Sequence, residues 1–239
     1  MSQSIDLLIK NGSCFIDNNL KKVDLAISDS KIQEIGDLKN LKGKNEIDAK
    51  ELLVLPGIID TQVHFREPGS TEAEDLNSGS RAAILGGVTS VFEMPNTNPP
   101  TSSEKEFLNK LDLAKNRMFC NYAFYFGATP ENYSDLRNLK SLEGCCGIKL
   151  FVGSSTGNLL VKNEEDIEKV FLNSSKIVSV HSEDEDILNL RKKMIEEGNV
   201  KTHPVWRNEE SAISSTRKIV KISERLNKQA HILDRKSVV

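Results

Sequence analysis

Residues 56–69, PGIIDTQVHFREPG, carry an acid, an amide, an imidazole and a guanidinium behind a short apolar run: Asp60, Gln62, His64 and Arg66. Three later segments hold comparable groups. EMPNTNPP contains Glu93 and Asn96, CCGIKLFVGSSTGN sets Lys149 inside an apolar stretch, and VHSEDE follows another with His181. Imidazoles are donors for a divalent cation, whereas a guanidinium or an amide suits an anionic small molecule. Each residue also has a plainer reading. A histidine at a strand end often satisfies local hydrogen bonds, and a lysine in an apolar run can snorkel to the rim. Arg66 can pair at the surface, and NTNPP and GSSTGN read as turns. The distinguishing feature is that all of them fall at one end of the candidate strands.

Those strands are Leu53–Val63, Thr89–Met94, Cys120–Phe126, Gly147–Val152, Ile177–His181 and Ala230–Leu233. Amphipathic stretches lie between them: Phe107, Leu108, Leu111 and Ala114; Ile187, Leu190 and Met194; Ala212, Thr216, Ile219, Val220 and Ser223. Their spacing is that of helices with one buried face. Glu104 and Glu106, and Glu183 and Asp184, are expected in first helical turns, where carboxylates complement the helix dipole. Near-continuous apolar strands alternating with helices predict an α/β fold with a parallel sheet. A doubly wound sheet and a (β/α)8-type barrel both fit, and about six of a barrel's eight units are visible. Before Leu53 the pattern changes to short strands around the turn signals Asn11-Gly12 and Asp29-Ser30, read as a small antiparallel sheet. The expected division is therefore 1–52 and 53–239.

The 239-residue chain is 38% hydrophobic and 28% charged with net charge −3, an ordinary soluble composition. Lysine and arginine are scattered, which argues against a nucleic-acid surface. No apolar run approaches the roughly 18 residues of a membrane span, and MSQSIDLLIKNG lacks the basic and apolar regions of a secretory signal. Cys14, Cys120, Cys145 and Cys146 match neither a zinc knuckle nor a disulfide framework, so buried, reduced thiols and a cytoplasmic location are expected. His203 and Trp206, in THPVWR, read as loop or lid packing, and His231 as a strand-start residue.

Taken together, DTQVHFREPG, FEMPNTNPPT, GIKLFVGSSTGNLLV and HSEDE resemble the dihydroorotases of the amidohydrolase superfamily, over about Leu53 to Leu233. The resemblance implies a (β/α) barrel with a site at its C-terminal mouth, and an N-terminal portion belonging to a small β-sandwich. It implies one or two divalent ions, usually zinc, and reversible ring closure of N-carbamoyl-aspartate to dihydroorotate in pyrimidine synthesis. A metal there acidifies water and polarises the scissile carbonyl. Carried over residue by residue, His64 and His181 are metal ligands and Lys149 is the lysine that relatives carboxylate, because a carbamate can bridge cations that an ammonium would repel. Arg66 and Asn96 hold the substrate carboxylate, and Asp60 supports the ligand cluster. The related cyclic amidases, allantoinases and hydantoinases, are the alternative. So is a non-catalytic dihydroorotase-like partner of aspartate transcarbamoylase. A homodimer is expected by analogy.

Two positions depart from that pattern. Gln62 stands where most relatives have the first histidine of His-X-His, and an amide is a weaker zinc ligand than an imidazole. Asp234 stands where another ligand histidine is expected. Residues 234–239, DRKSVV, share nothing with the family's continuation and are expected to be a non-native tail. The last barrel strands, with the aspartate that shuttles protons, are expected beyond them.

Overall fold

The computed structural model describes residues 4–153 and 158–234. Most of the GSSTGN loop and the tail after Asp234 therefore lie outside the described residues. The chain forms two compact units, residues 1–57 and 58–239.

The first unit is built from β1 (Ile5–Lys10), β2 (Ser13–Ile16), β3 (Asn19–Lys22), β4 (Asp24–Ser28), β5 (Lys31–Gly36), β6 (Gly43–Asp48) and β7 (Leu53–Val54). The turns fall where the sequence signals them. Asn11, Asp29 and Ser30 all take left-handed backbone angles, with φ of 63°, 51° and 58°, a conformation short polar side chains tolerate. The expectation of one antiparallel sheet is corrected. There are two sheets, ordered β5-β4-β1-β6 and β3-β2-β7, and both are mixed. β6 runs parallel to β1 and β7 parallel to β2, because each enters after a crossing connection rather than a hairpin. Leu8, Ala26 and Leu38 form the small core of the four-stranded sheet.

The second unit is a parallel sheet of β8 (Ile58–Val63), β9 (Val88–Glu93), β10 (Asn121–Gly127), β11 (Cys145–Phe151), β12 (Val178–His181) and β13 (Ala230–Ile232). The expected single strand Leu53–Val63 is two strands, β7 and β8. Pro56, with no N–H to donate, lies in the break. Strand order follows chain order without reversal. A doubly wound sheet reverses at a switch point, whereas a barrel does not. The sheet is accordingly a curled, incomplete barrel of six strands.

Between the strands run α1 (Leu76–Leu85), α2 (Glu104–Ala114), α3 (Glu164–Asn173), α4 (Glu185–Arg191), α5 (His203–Trp206) and α6 (Glu209–Leu226). Their starts are set by local chemistry: Asp75 and Ser78 form a capping box for α1, Ser103 accepts from Glu106 N at α2, and Asn208 accepts from Ser211 N at α6, each leaving fewer orphan N–H groups. Phe107, Ile167, Val170, Phe171, Ile219 and Ile222 turn inward against Phe124, Phe126, Ile148, Leu150, Val178 and Val180 on the sheet. No helix among the described residues is long and apolar enough to cross a membrane.

β8 and β13 each have one strand neighbour. Ile58 and Ile59 on β8 are 57% and 58% exposed, an apolar edge of the kind that recruits other chains. This 239-residue chain is expected to self-associate at concentrations of about 10 μM, and Ile59→Lys to shift it toward monomer. Light scattering on both chains measures this; a monomeric, cooperatively melting parent would contradict it.

Candidate active site

Successive side chains of a strand point to opposite faces. On β11, Ile148 and Leu150 join the helix-facing core, and on β12 Val178 and Val180 do the same. That alternation leaves Lys149, Ser179 and His181 on the opposite face. The register agrees, with Lys149 opposite Ser179 and Phe151 opposite His181. On β8, Val63 packs against the helix-facing core, so Gln62 and His64 also belong to the other side.

Lys149 is 2% exposed. Its Nζ donates to Leu150 O at 3.1 Å and stands 3.7 Å from the centroid of the Phe151 ring. Burial pushes its pKa down to about 7, against the pull of the Asp234 carboxylate. The amine is therefore substantially neutral near neutral pH, and a neutral amine is the form that captures CO2 as a carbamate.

His181 is held between two carboxylates. Its Nδ1 lies 2.6 Å from Asp234 Oδ2 and its Nε2 lies 2.8 Å from Glu183 Oε2. Burial acts to lower the imidazole pKa, but the hydrogen bonds to Asp234 and Glu183 outweigh it and the net shift is upward. Asp234 is held in turn by Gln62, whose Nε2 donates to Oδ1 at 2.7 Å. The bond to His181 keeps its carboxyl well below the usual range. Glu183 is clamped by Arg207, which donates from Nε to Oε1 at 3.1 Å and from Nη2 to Oε2. Burial would raise the Glu183 pKa, yet His181 and Arg207 bring it down to about 2.

His64 shares this electrostatic environment. Burial lowers its pKa first, then the Arg66 guanidinium; Lys149 acts in the same direction, while Asn96 and Asp234 oppose. Its imidazole is thus biased toward the neutral form that can donate a lone pair. Gln62, His64, Arg66, Asn96, Lys149, His181 and Asp234 accordingly gather at the C-terminal edge of the sheet. Arg66 is exposed and has a left-handed φ of 63°; its carbonyl accepts from Ser70 N at 3.0 Å, while its guanidinium makes no hydrogen bond or ion pair with another described residue. Asp60 stands apart: it is exposed, and its Oδ1 accepts the Gln62 backbone N–H at 2.9 Å. It meets no imidazole among the described residues.

Glu183 and Arg207 are the residues the sequence pattern misses. Glu183 is not in a helical first turn as expected; Asp184 caps α4 by accepting from Asp186 N and Ile187 N, which frees Glu183 to turn back onto His181. Gly153 makes room for it, since a Cβ there would lie 2.5 Å from Glu183 O. The acidity of HSEDE was visible, but the direction of each carboxylate depends on where the helix begins. Arg207 carries no signal beyond its place before α6. His203 lies at the start of α5, its ring 6.0 Å from that of Trp206 at 80°.

Among the described residues, no group of three or more His, Cys, Asp or Glu side chains is already gathered as a cation cage. The chemistry of the donors nevertheless fits a divalent ion. It comprises a half-buried imidazole biased to neutrality, a second imidazole, a carboxylate, and an amine that a carbamate would convert to an anion.

The amidohydrolase family model matches residues 53–238. The chain belongs to the amidohydrolase family. It is 34% identical over 232 residues to the dihydroorotase of Methanosarcina mazei, covering 95% of this chain and 50% of that protein. It is 37% identical over 153 residues to the allantoinase of Salmonella newport, covering 63% of this chain and 33% of that one. The fold matches the L-hydantoinase of Arthrobacter aurescens with a TM-score of 0.87 at 22% identity, over 95% of this chain and 52% of that chain. The chain thus spans about half the length of the first two dihydroorotases it matches.

The position of Lys149 makes its titration measurable. An ordinary lysine pKa is 10.5 and the folded value is about 7. Between these values the unfolded chain binds the extra proton, so this group's contribution makes stability rise with pH across that window and stay lowest below it. Lys149→Met is expected to abolish that rise. Urea midpoints near pH 7 and about pH 9.5 for the two chains measure it, and identical slopes would refute the placement.

Proposed function

We propose that this chain is part of a metal-dependent enzyme that hydrolyses a cyclic amide. The observation that carries the reading is the convergence of His64, Lys149, His181 and Asp234 on one side of the strand ends, beside an Arg66 guanidinium with no partner among the described residues. His64, His181 and a carboxylated Lys149 would hold the ion; Asp234 opens the segment expected to be non-native and is not counted among the ligands. The ion would supply Lewis acidity for water and for the ring carbonyl.

The chain's own groups do the remaining work. Glu183, fixed by Arg207, and Asp234, fixed by Gln62, set the orientation of the His181 ring. Burial keeps the Lys149 amine available for CO2. Arg66 and Asn96 would bind the substrate at the rim.

Two ring classes follow from different observations. A guanidinium with no described partner suits a ring that bears a carboxylate, because the fork donates two parallel hydrogen bonds to it. Together with the archaeal dihydroorotase likeness, this supports dihydroorotate. The allantoinase and hydantoinase likenesses support an uncharged cyclic ureide. The Gln62–Asp234 bond supports a third, non-catalytic reading, since it occupies both positions where the family pattern expects imidazoles.

The decisive experiment uses the protein at its natural length, assayed on dihydroorotate, allantoin and hydantoin with metal content measured in parallel. Turnover of one ring with about one or two ions per chain supports an enzyme. Fewer than about 0.1 ion per chain without turnover supports the scaffold. For a carboxylate-bearing substrate, Arg66→Met is expected to raise KM at least about tenfold, the loss of a charge-assisted contact, and to leave allantoin and hydantoin kinetics unchanged. An unchanged KM for dihydroorotate would remove Arg66 from that role.

A further inference from the structure

The helix-facing side of these same strand ends holds a charged pair that the proposed chemistry does not use. The side chains of Glu93, at the end of β9, and Lys110, in α2, are 1% and 0% exposed and form an ion pair. Lys110 Nζ also donates to Met94 O at 3.1 Å and lies 5.1 Å from the centroid of the Phe124 ring. The Phe65 backbone N–H faces the Glu93 carboxylate and favours its charged form. Phe65 immediately precedes Arg66, and Met94 lies two residues before Asn96. The two strands are already joined nearby, where Met94 N donates to Val63 O at 3.0 Å.

Such a pair is a poor source of stability. Desolvating both charges consumes most of what their attraction returns, and apolar side chains of similar volume often serve as well or better. The cost is visible on both partners: burial drives the Glu93 pKa up to about 7 and the Lys110 pKa down. What an apolar pair would not reproduce is direction. Lys110 reaches one strand end by its ammonium and Glu93 reaches the other by its carboxylate.

We propose that Glu93 and Lys110 are positioning residues for Arg66 and Asn96, clamping the backbone of Phe65 to that of Met94 and so fixing where the guanidinium and the amide are presented. Arg66 needs this support because it is exposed, sits in a left-handed conformation and has a guanidinium with no hydrogen-bond or ion-pair partner among the described residues; only its carbonyl is held, by Ser70 N. The identity of the bound carboxylate rests on the proposed function; the clamp does not.

The test is Glu93→Leu/Lys110→Met in the protein at its natural length, read by thermal melting, amide exchange and kinetics on dihydroorotate. The melting temperature is expected to equal or exceed that of the parent. Exchange in residues 64–67 and 94–98 should rise about tenfold while β10 and α2 are unchanged. KM should rise about tenfold with kcat within about threefold. Glu93→Gln keeps an oxygen for both Phe65 N–H and Lys110, and should retain parental exchange with KM within about threefold. Unchanged exchange in a stable double variant overturns the clamp. So does exchange that rises uniformly across the sheet with a lowered melting temperature, since that marks a plain core contribution. If the parent turns over no carboxylate-bearing ring, the functional reading fails while local exchange still decides the clamp.

Discussion

An amine buried on the strand face opposite the helices is the feature around which the site is arranged. Lys149 has little accessible surface and one backbone acceptor, so its charged form is costly and its neutral form is favoured. The same burial would be costly on a random position of the sheet. Here it is placed in a row of strand ends where His64, His181 and Asp234 also lie within its electrostatic reach. The charged groups around it include the guanidiniums of Arg66 and Arg207 and the carboxylates of Glu183 and Asp234, with the Arg66 guanidinium at the exposed rim. The Arg66 guanidinium at the rim suits an anion there, and low-dielectric walls strengthen that attraction.

Strand alternation separates two demands that would otherwise conflict. One face of β9 to β12 is apolar and packs on the helices, and the other carries the polar groups beside a smaller apolar cluster of Phe92, Met94, Tyr125 and Leu233. Glu93 and Lys110 are the exception, charges placed on the apolar side. Their location is informative because they lie directly beneath the two strand ends whose opposite faces carry Arg66 and Asn96. The apolar side therefore supplies both the burial energy of the unit and the geometry of its rim.

The parts of this arrangement legible in the sequence are those fixed by periodicity. Apolar runs gave six parallel strands in the right order, and the polar residues closing them identified the edge where chemistry gathers. Legibility failed where a turn or a cap decides the outcome. Pro56 breaks an apolar run that reads as one strand. α1 and α3 went unread: α1 buries Leu76 beside the small residues Gly79 and Ser80, while α3 buries only Ile167, Val170 and Phe171. Glu183 and Asp184 are adjacent acids with opposite duties, and only the start of α4 separates the cap from the partner of His181. Arg207 approaches Glu183 from 24 residues away, a contact made by tertiary folding that no local spacing encodes.

Gln62 and Asp234 acquire a joint meaning from the structure that neither has alone. Each is a departure from the family pattern, yet the two satisfy one another, a neutral donor against an anion. The second oxygen of Asp234 is engaged by His181. A cation entering here must therefore share or displace hydrogen bonds at the carboxylate and at the imidazole, whose raised pKa means that it must also give up a proton. Binding becomes a competition between the ion and an internal network, and it grows easier as pH rises through the imidazole's range. That competition would distinguish such a site from one built from free histidines. Its outcome depends on whether a carbamate on Lys149 adds enough negative charge to tip the balance toward the ion.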